Sequence, residues 1–109
     1  MKTPRPGARV RGSTTGRPIM ALLDLLGRRS CLRVLWELRS GPLSFRALQE
    51  AAATNPSVLN SRIAELRDAG IVVHEGAGYQ LTVEGRTLLD GLAPLSRWAE
   101  RWAARGPVH

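Results

Sequence analysis

Apolar positions in this chain repeat with a helical period, switch briefly to a strand-like pattern, and return to a helical one. Leu22, Leu23, Leu25 and Leu26 predict a short apolar helix that stops at Gly27. A second helix is expected from about Arg28 to Arg39. Leu32, Leu35, Trp36 and Leu38 would supply its buried face, with Cys31 and Val34 alongside. Gly41-Pro42 ends it, because proline cannot continue a helix and glycine commonly follows a helix end. Ser44 is placed to cap a third helix with Phe45 and Leu48 turned inward. Asn55 caps a fourth, with Pro56 in its first turn, where a missing N–H costs nothing. In that helix Val58, Leu59, Ile63 and Leu66 form one apolar stripe, and Gly70 closes it. Ile71-Val72-Val73-His74 and Tyr79-Gln80-Leu81-Thr82 flank Glu75-Gly76-Ala77-Gly78, which reads as a hairpin. A last helix is expected over about residues 83–104. There Leu88, Leu92, Leu95, Ala99 and Trp102 alternate in steps of four and three, an apolar seam.

Charge divides the chain in two. Residues 1–18 carry Lys2, Arg5, Arg9, Arg11 and Arg17 among prolines, glycines, serines and threonines, with no acid. This stretch is expected to be a disordered basic arm, and residues 19–105 a single folded domain. From Met20 onward eleven arginines face nine acids, so the expected domain is nearly balanced. A basic arm suits a polyanionic partner; a merely solvated tail is the plain alternative. No apolar run approaches the ~18 residues of a membrane span, and no secretory signal is visible. A cytoplasmic protein without membrane association is therefore expected.

Little in the sequence suggests catalysis. Cys31 is the single cysteine, which excludes an intramolecular disulfide and a multi-cysteine metal site. His74 and His109 stand apart from any triad-like or metal-spaced cluster. Gly76-Ala77-Gly78 is a turn rather than a phosphate loop, since no helix start and lysine follow it. No enzyme activity, metal or cofactor is expected.

The order of elements points elsewhere. Two short helices joined by a tight turn and followed by a glycine-tipped hairpin make a winged helix-turn-helix, mainly α with a small β wing. In that arrangement the second helix of the pair enters the DNA major groove. Here that helix lies around residues 56–69, and its apolar stripe leaves Ser57, Asn60, Ser61 and Ala64 on the opposite face. Asn pairs with adenine edges and Ser reaches bases or phosphates. Ser57, Asn60, Ser61 and Arg62 are therefore the candidate base readers. Asn55, Arg28, Arg29 and Arg46 are candidate phosphate contacts, with Arg33 beside them. The wing tip carries one acid and no Lys or Arg, so its part in phosphate binding is small. That feature, and Glu65 on the reading helix, favour a rival reading as a protein-interaction module. RNA binding ranks third, for want of an aromatic stacking platform.

Four stretches resemble the HxlR-type family of bacterial and archaeal winged-helix regulators. They are Leu23-Asp24-Leu25-Leu26-Gly27 with Arg29, Gly41 through Leu48, Val58 through Leu66, and Tyr79 through Leu88. Leu95-Ser96-Arg97-Trp98 is similar too. No single stretch is specific; their order and spacing together are. The resemblance implies a homodimer that binds a palindromic operator in double-stranded DNA, with the first and last helices forming the dimer interface. Leu22, Leu88, Leu92, Leu95, Trp98, Ala99 and Trp102 are the corresponding candidates. Several relatives sense oxidants through a Cys-Pro pair just before the first helix; here that pair is Arg17-Pro18. Ser30 replaces a tryptophan common early in the second helix, and the wing is short. The operator, the regulated genes and any effector ligand are not encoded in these patterns.

Overall fold

In the computed structural model residues 17–106 are described. The expectations for the basic arm, up to residue 16, lie outside them. Five helices and one hairpin follow in order: α1 Pro18–Leu26, α2 Cys31–Glu37, α3 Phe45–Ala52, α4 Pro56–Asp68, β1 Val72–Glu75, β2 Gly78–Leu81 and α5 Val83–Ala104. Pro18 sits in the first turn of α1, and the Arg17 carbonyl accepts from the Met20 and Ala21 N–H groups.

Stripes on α1 to α4 close over one core. Leu35, Leu38, Leu48, Leu59 and Leu66 are fully buried, each stabilising the fold by roughly 1.5–3 kcal/mol. Ile71, Val72 and Leu81 extend the core beneath the hairpin. On α2 the buried stripe is Cys31, Val34, Leu35 and Leu38. Leu32 and Trp36, expected inside, are half-exposed instead. The helix spans only Cys31–Glu37, and its neighbours cover the stripe at i, i+3, i+4 and i+7 but not its flank. Trp36 is covered from outside by the Arg39 guanidinium, 4.1 Å from the ring centre.

The hairpin pairs Val72 with Leu81 and Glu75 with Gly78, leaving Gly76-Ala77 as its two-residue tip. Leu43, in the loop before α3, adds a single antiparallel bridge on the other edge of β2. Its N–H donates to the Tyr79 carbonyl at 3.0 Å, and the Tyr79 N–H donates back at 2.8 Å. This exchange brings the Leu43 backbone so close that a Cβ on Gly78 would sit 3.0 Å from its oxygen.

Thr82 joins the wing to α5. Its Oγ1 accepts from the Gly85 N–H at 3.1 Å and donates to the Gly70 carbonyl at 2.6 Å. The first turn of α5 is thereby pressed onto the backbone at Ile71. A Cβ on Gly85 would lie 2.3 Å from the Ile71 oxygen. Gly85→Ala is therefore expected to lower stability by about 2–3 kcal/mol, or more if backbone must shift. A denaturant titration checks this, and an unchanged midpoint would show that α5 is not seated there. Leu88 and Leu89 pack against the core from the same end of the helix. The helix continues through Pro94, which has no N–H for the Asp90 carbonyl. From Pro94 to Arg105 every residue is exposed.

Candidate nucleic-acid interface

α3 and α4 are joined by residues 53–55, a turn of helix-turn-helix length. Ala53 turns the chain with a left-handed φ of 52°. Ser44 Oγ accepts from the Ala47 N–H at 3.1 Å and Asn55 Oδ1 from the Val58 N–H at 2.8 Å, so both helices start at side-chain caps. α2 braces the turn from the other side. Arg33 donates to the Ala51 carbonyl at 3.0 Å, and Ser30 Oγ donates to Thr54 Oγ1 at 3.4 Å.

α4 buries Leu59, Ile63 and Leu66 and half-buries Val58. Ser57, Asn60, Ser61 and Ala64 are all exposed, as their spacing requires. They form one strip of small side chains, so the helix backbone can approach a partner closely. Arg67 is exposed one turn further along the same strip. Sequence reasoning passed over Arg67, although its i+3 spacing from Ala64 was the signal.

Arg62 is placed differently from its expected role as a base reader. Its Nε lies 2.9 Å from Glu65 Oε1, and its Nη1 donates to the Arg29 carbonyl at 3.4 Å. Arg28, expected on phosphate, donates from Nη1 to Glu65 Oε2 at 2.7 Å. The side chains of Arg28, Arg62 and Glu65 are only 22%, 16% and 14% exposed. Both guanidinium groups are thus held at the joint between the α1–α2 turn and α4. Arg62 lies off the exposed strip because residue 62 falls between that strip and the buried one. Glu65 is turned toward Arg28 and Arg62, away from the exposed strip.

The remaining phosphate candidates stay displayed. Asn55 uses Oδ1 in the cap and keeps its Nδ2 donors. Arg29 is exposed, and Arg46 is nearly fully so, at 3.9 Å from Glu50. Arg33 is engaged by Glu37 at 2.8 Å. On the wing Gln80 donates to Glu75 at 2.7 Å, and the His74 and Tyr79 rings stack at 4.4 Å.

The apolar residues assigned to a dimer interface divide into two groups. Leu22 and Leu88 are partly buried against their own core, and Leu92 is half-buried. Leu95, Trp98 and Trp102 remain 60%, 52% and 50% exposed, Ala99 is exposed beside them, and the two indoles stack at 5.8 Å. Ile19 and Leu23 of α1 are half-exposed as well.

Cys31 is fully buried. Burial pushes its thiol up to about 11, with Glu65 adding to the rise and Arg62 and Arg28 opposing it. It is therefore a protonated, shielded thiol at neutral pH. Mild peroxide is expected to leave duplex affinity unchanged. An oxidant-dependent loss abolished by Cys31→Ala would contradict this. Among the described residues no cluster of His, Cys, Asp or Glu could hold a metal ion, and no helix is long and apolar enough to cross a membrane.

Residues 25–107 match the HxlR-like helix-turn-helix family. The chain belongs to that family. An uncharacterised HTH-type transcriptional regulator of Methanocaldococcus jannaschii, MJ0925, is 24% identical over 88 residues, covering 76% of this chain and 83% of the relative. The reduced form of the transcriptional regulator YodB from B. subtilis superposes with a TM-score of 0.74 at 25% identity, over 84% of this chain and 98% of that one. The homodimeric winged helix-turn-helix DNA-binding domain of Mb0332 from Mycobacterium bovis shares the fold, with a TM-score of 0.55 at 22% identity over 92% and 99% of the two chains. Family and fold make this HxlR-like chain a winged helix-turn-helix transcriptional regulator.

Proposed function

We propose that this HxlR-like regulator works in the cytoplasm as a homodimer on a palindromic operator, without a cofactor. Ser57, Asn60 and Ser61 of α4 read base edges, and Arg67 extends the strip toward phosphate. Asn55, Arg29 and Arg46 contact the backbone. The observation that carries this reading is the exposed strip of small polar residues on a helix capped at Asn55 and braced from α2. Short side chains need the helix deep in the groove, and a strip without bulk permits that approach. The second protomer is seated on the apolar surface of α1 and of α5 beyond Pro94. The homodimeric state of Mb0332 supports this by analogy of fold.

Arg62 is reassigned from reading to holding the helix in place. The inward turn of Glu65 also removes one of the two features that favoured a protein-interaction module. The test begins with genomic fragments selected on purified protein. The best fragment is then titrated over a range of salt. Two chains per duplex and a log–log salt slope near −0.9 per neutralised phosphate are expected. Equal affinity for the selected fragment and a scrambled one at every salt would sink base reading and move the protein-interaction alternative ahead.

A further inference from the structure

We propose that Glu65 is a specificity-determining positioning residue: it sets the rotation of α4 and withholds two arginines from DNA. The inference rests on the DNA-reading role proposed above for α4.

The contacts that hold α4 are of two kinds. Leu59, Ile63 and Leu66 press into the core, a non-directional attraction that tolerates small rotations of the helix. The Arg28–Glu65 hydrogen bond is directional, whereas Arg62 Nε and Glu65 Oε1 attract as an ion pair without hydrogen-bond geometry. Glu65 Oε2 accepts from Arg28 at 2.7 Å across 37 residues of sequence, while Oε1 lies 2.9 Å from Arg62 Nε. Arg62 reaches back to the Arg29 carbonyl at 3.4 Å, so α4 is tied to the α1–α2 turn by two side chains. With side chains a helix has a radius of 5–6 Å, so a 10° rotation moves a side-chain tip by about 1 Å. A shift of that size is enough to spoil a bidentate contact from Asn60 or a single hydrogen bond from a short Ser. Fixing the rotation therefore protects discrimination, although Glu65 itself touches no base.

Charge acts in the same direction. One carboxylate neutralises one of two cations and holds both guanidinium groups at low exposure. Freed, each could reach a phosphate, a contact that adds affinity on any sequence and specifies none. Glu65 is thus a device that trades non-specific attraction for a fixed reading face.

Glu65→Gln keeps the shape and removes the charge. Against the selected fragment and a scrambled one, the expected result is a preference reduced about tenfold. Affinity for scrambled duplex rises several-fold, and the salt slope steepens by roughly one to two phosphates. A folded variant with unchanged preference and slope overturns the proposal. Arg28→Met provides the second arm, because it removes the shorter of the two links to the α1–α2 turn and leaves Arg62 beside Glu65. It is expected to lose preference without a steeper slope; retained preference in this variant also overturns the proposal. If neither variant folds, the cluster serves folding alone and the positioning role is wrong. Wild-type protein without any preference would sink the reading of α4 itself, an outcome distinct from a preference that survives Glu65→Gln.

Discussion

A chain carrying Leu95→Glu and Trp102→Glu is expected to sediment as a monomer and to bind its operator about 10²–10⁴-fold more weakly than wild type. Neither residue supports its own fold, since Leu95 is 60% and Trp102 50% exposed. The core residues of α1 to α4 and the hairpin should stay packed. Among the described residues none covers α5 beyond Pro94, so carboxylates there would meet a second protomer or water. Paired across a two-fold axis, they would place like charges against apolar surface, a costly burial. Loss of the dimer removes the second half-site from intramolecular reach, and that lost effective concentration is the source of the affinity change. A doubly substituted chain that remains dimeric would show that another surface joins the protomers.

The helix proposed to read DNA was legible in the sequence because everything that defines its bounds and faces is local. Asn55 and Pro56 mark its start, Leu59, Ile63 and Leu66 its inner face, and Ser57, Asn60 and Ser61 fall opposite by spacing alone. The pairing of Arg62 and Arg28 with Glu65 is not legible in the sequence, because Arg28 lies 37 residues from Glu65 and no periodicity reports a contact at that distance. Leu32 and Trp36 failed for a related reason. An apolar pattern shows that a face avoids water, not which neighbour covers it, and in α2 the cover reaches only one stripe. The seam on α5 concealed two jobs in one repeat. Leu88 belongs to the chain's own core, while Leu95, Trp98 and Trp102 are left for something else. The tight seat of Gly85 on Ile71, which decides where that helix begins its course, left no mark beyond a glycine in a helical pattern.

The second large effect is expected at Asn60 and Ser61. Both are exposed on α4, within its first turn and a half, where this motif meets base edges. Neither fills the core, so Asn60→Ala with Ser61→Ala should leave the fold and the dimer intact. Each lost base contact costs roughly 1–3 kcal/mol of discrimination, together about 2–6 kcal/mol. Binding to unrelated duplex should scarcely change, because it arises from phosphate charge that these substitutions leave alone. The deciding measurement is a titration of wild type and the double variant against the selected fragment and its scrambled counterpart, at one fixed salt, with a circular-dichroism melt on the same samples. The account predicts that a well-folded double variant loses about 2–6 kcal/mol of its preference for the selected fragment while binding the scrambled duplex as wild type does. A well-folded double variant that keeps the full preference for its operator would contradict it.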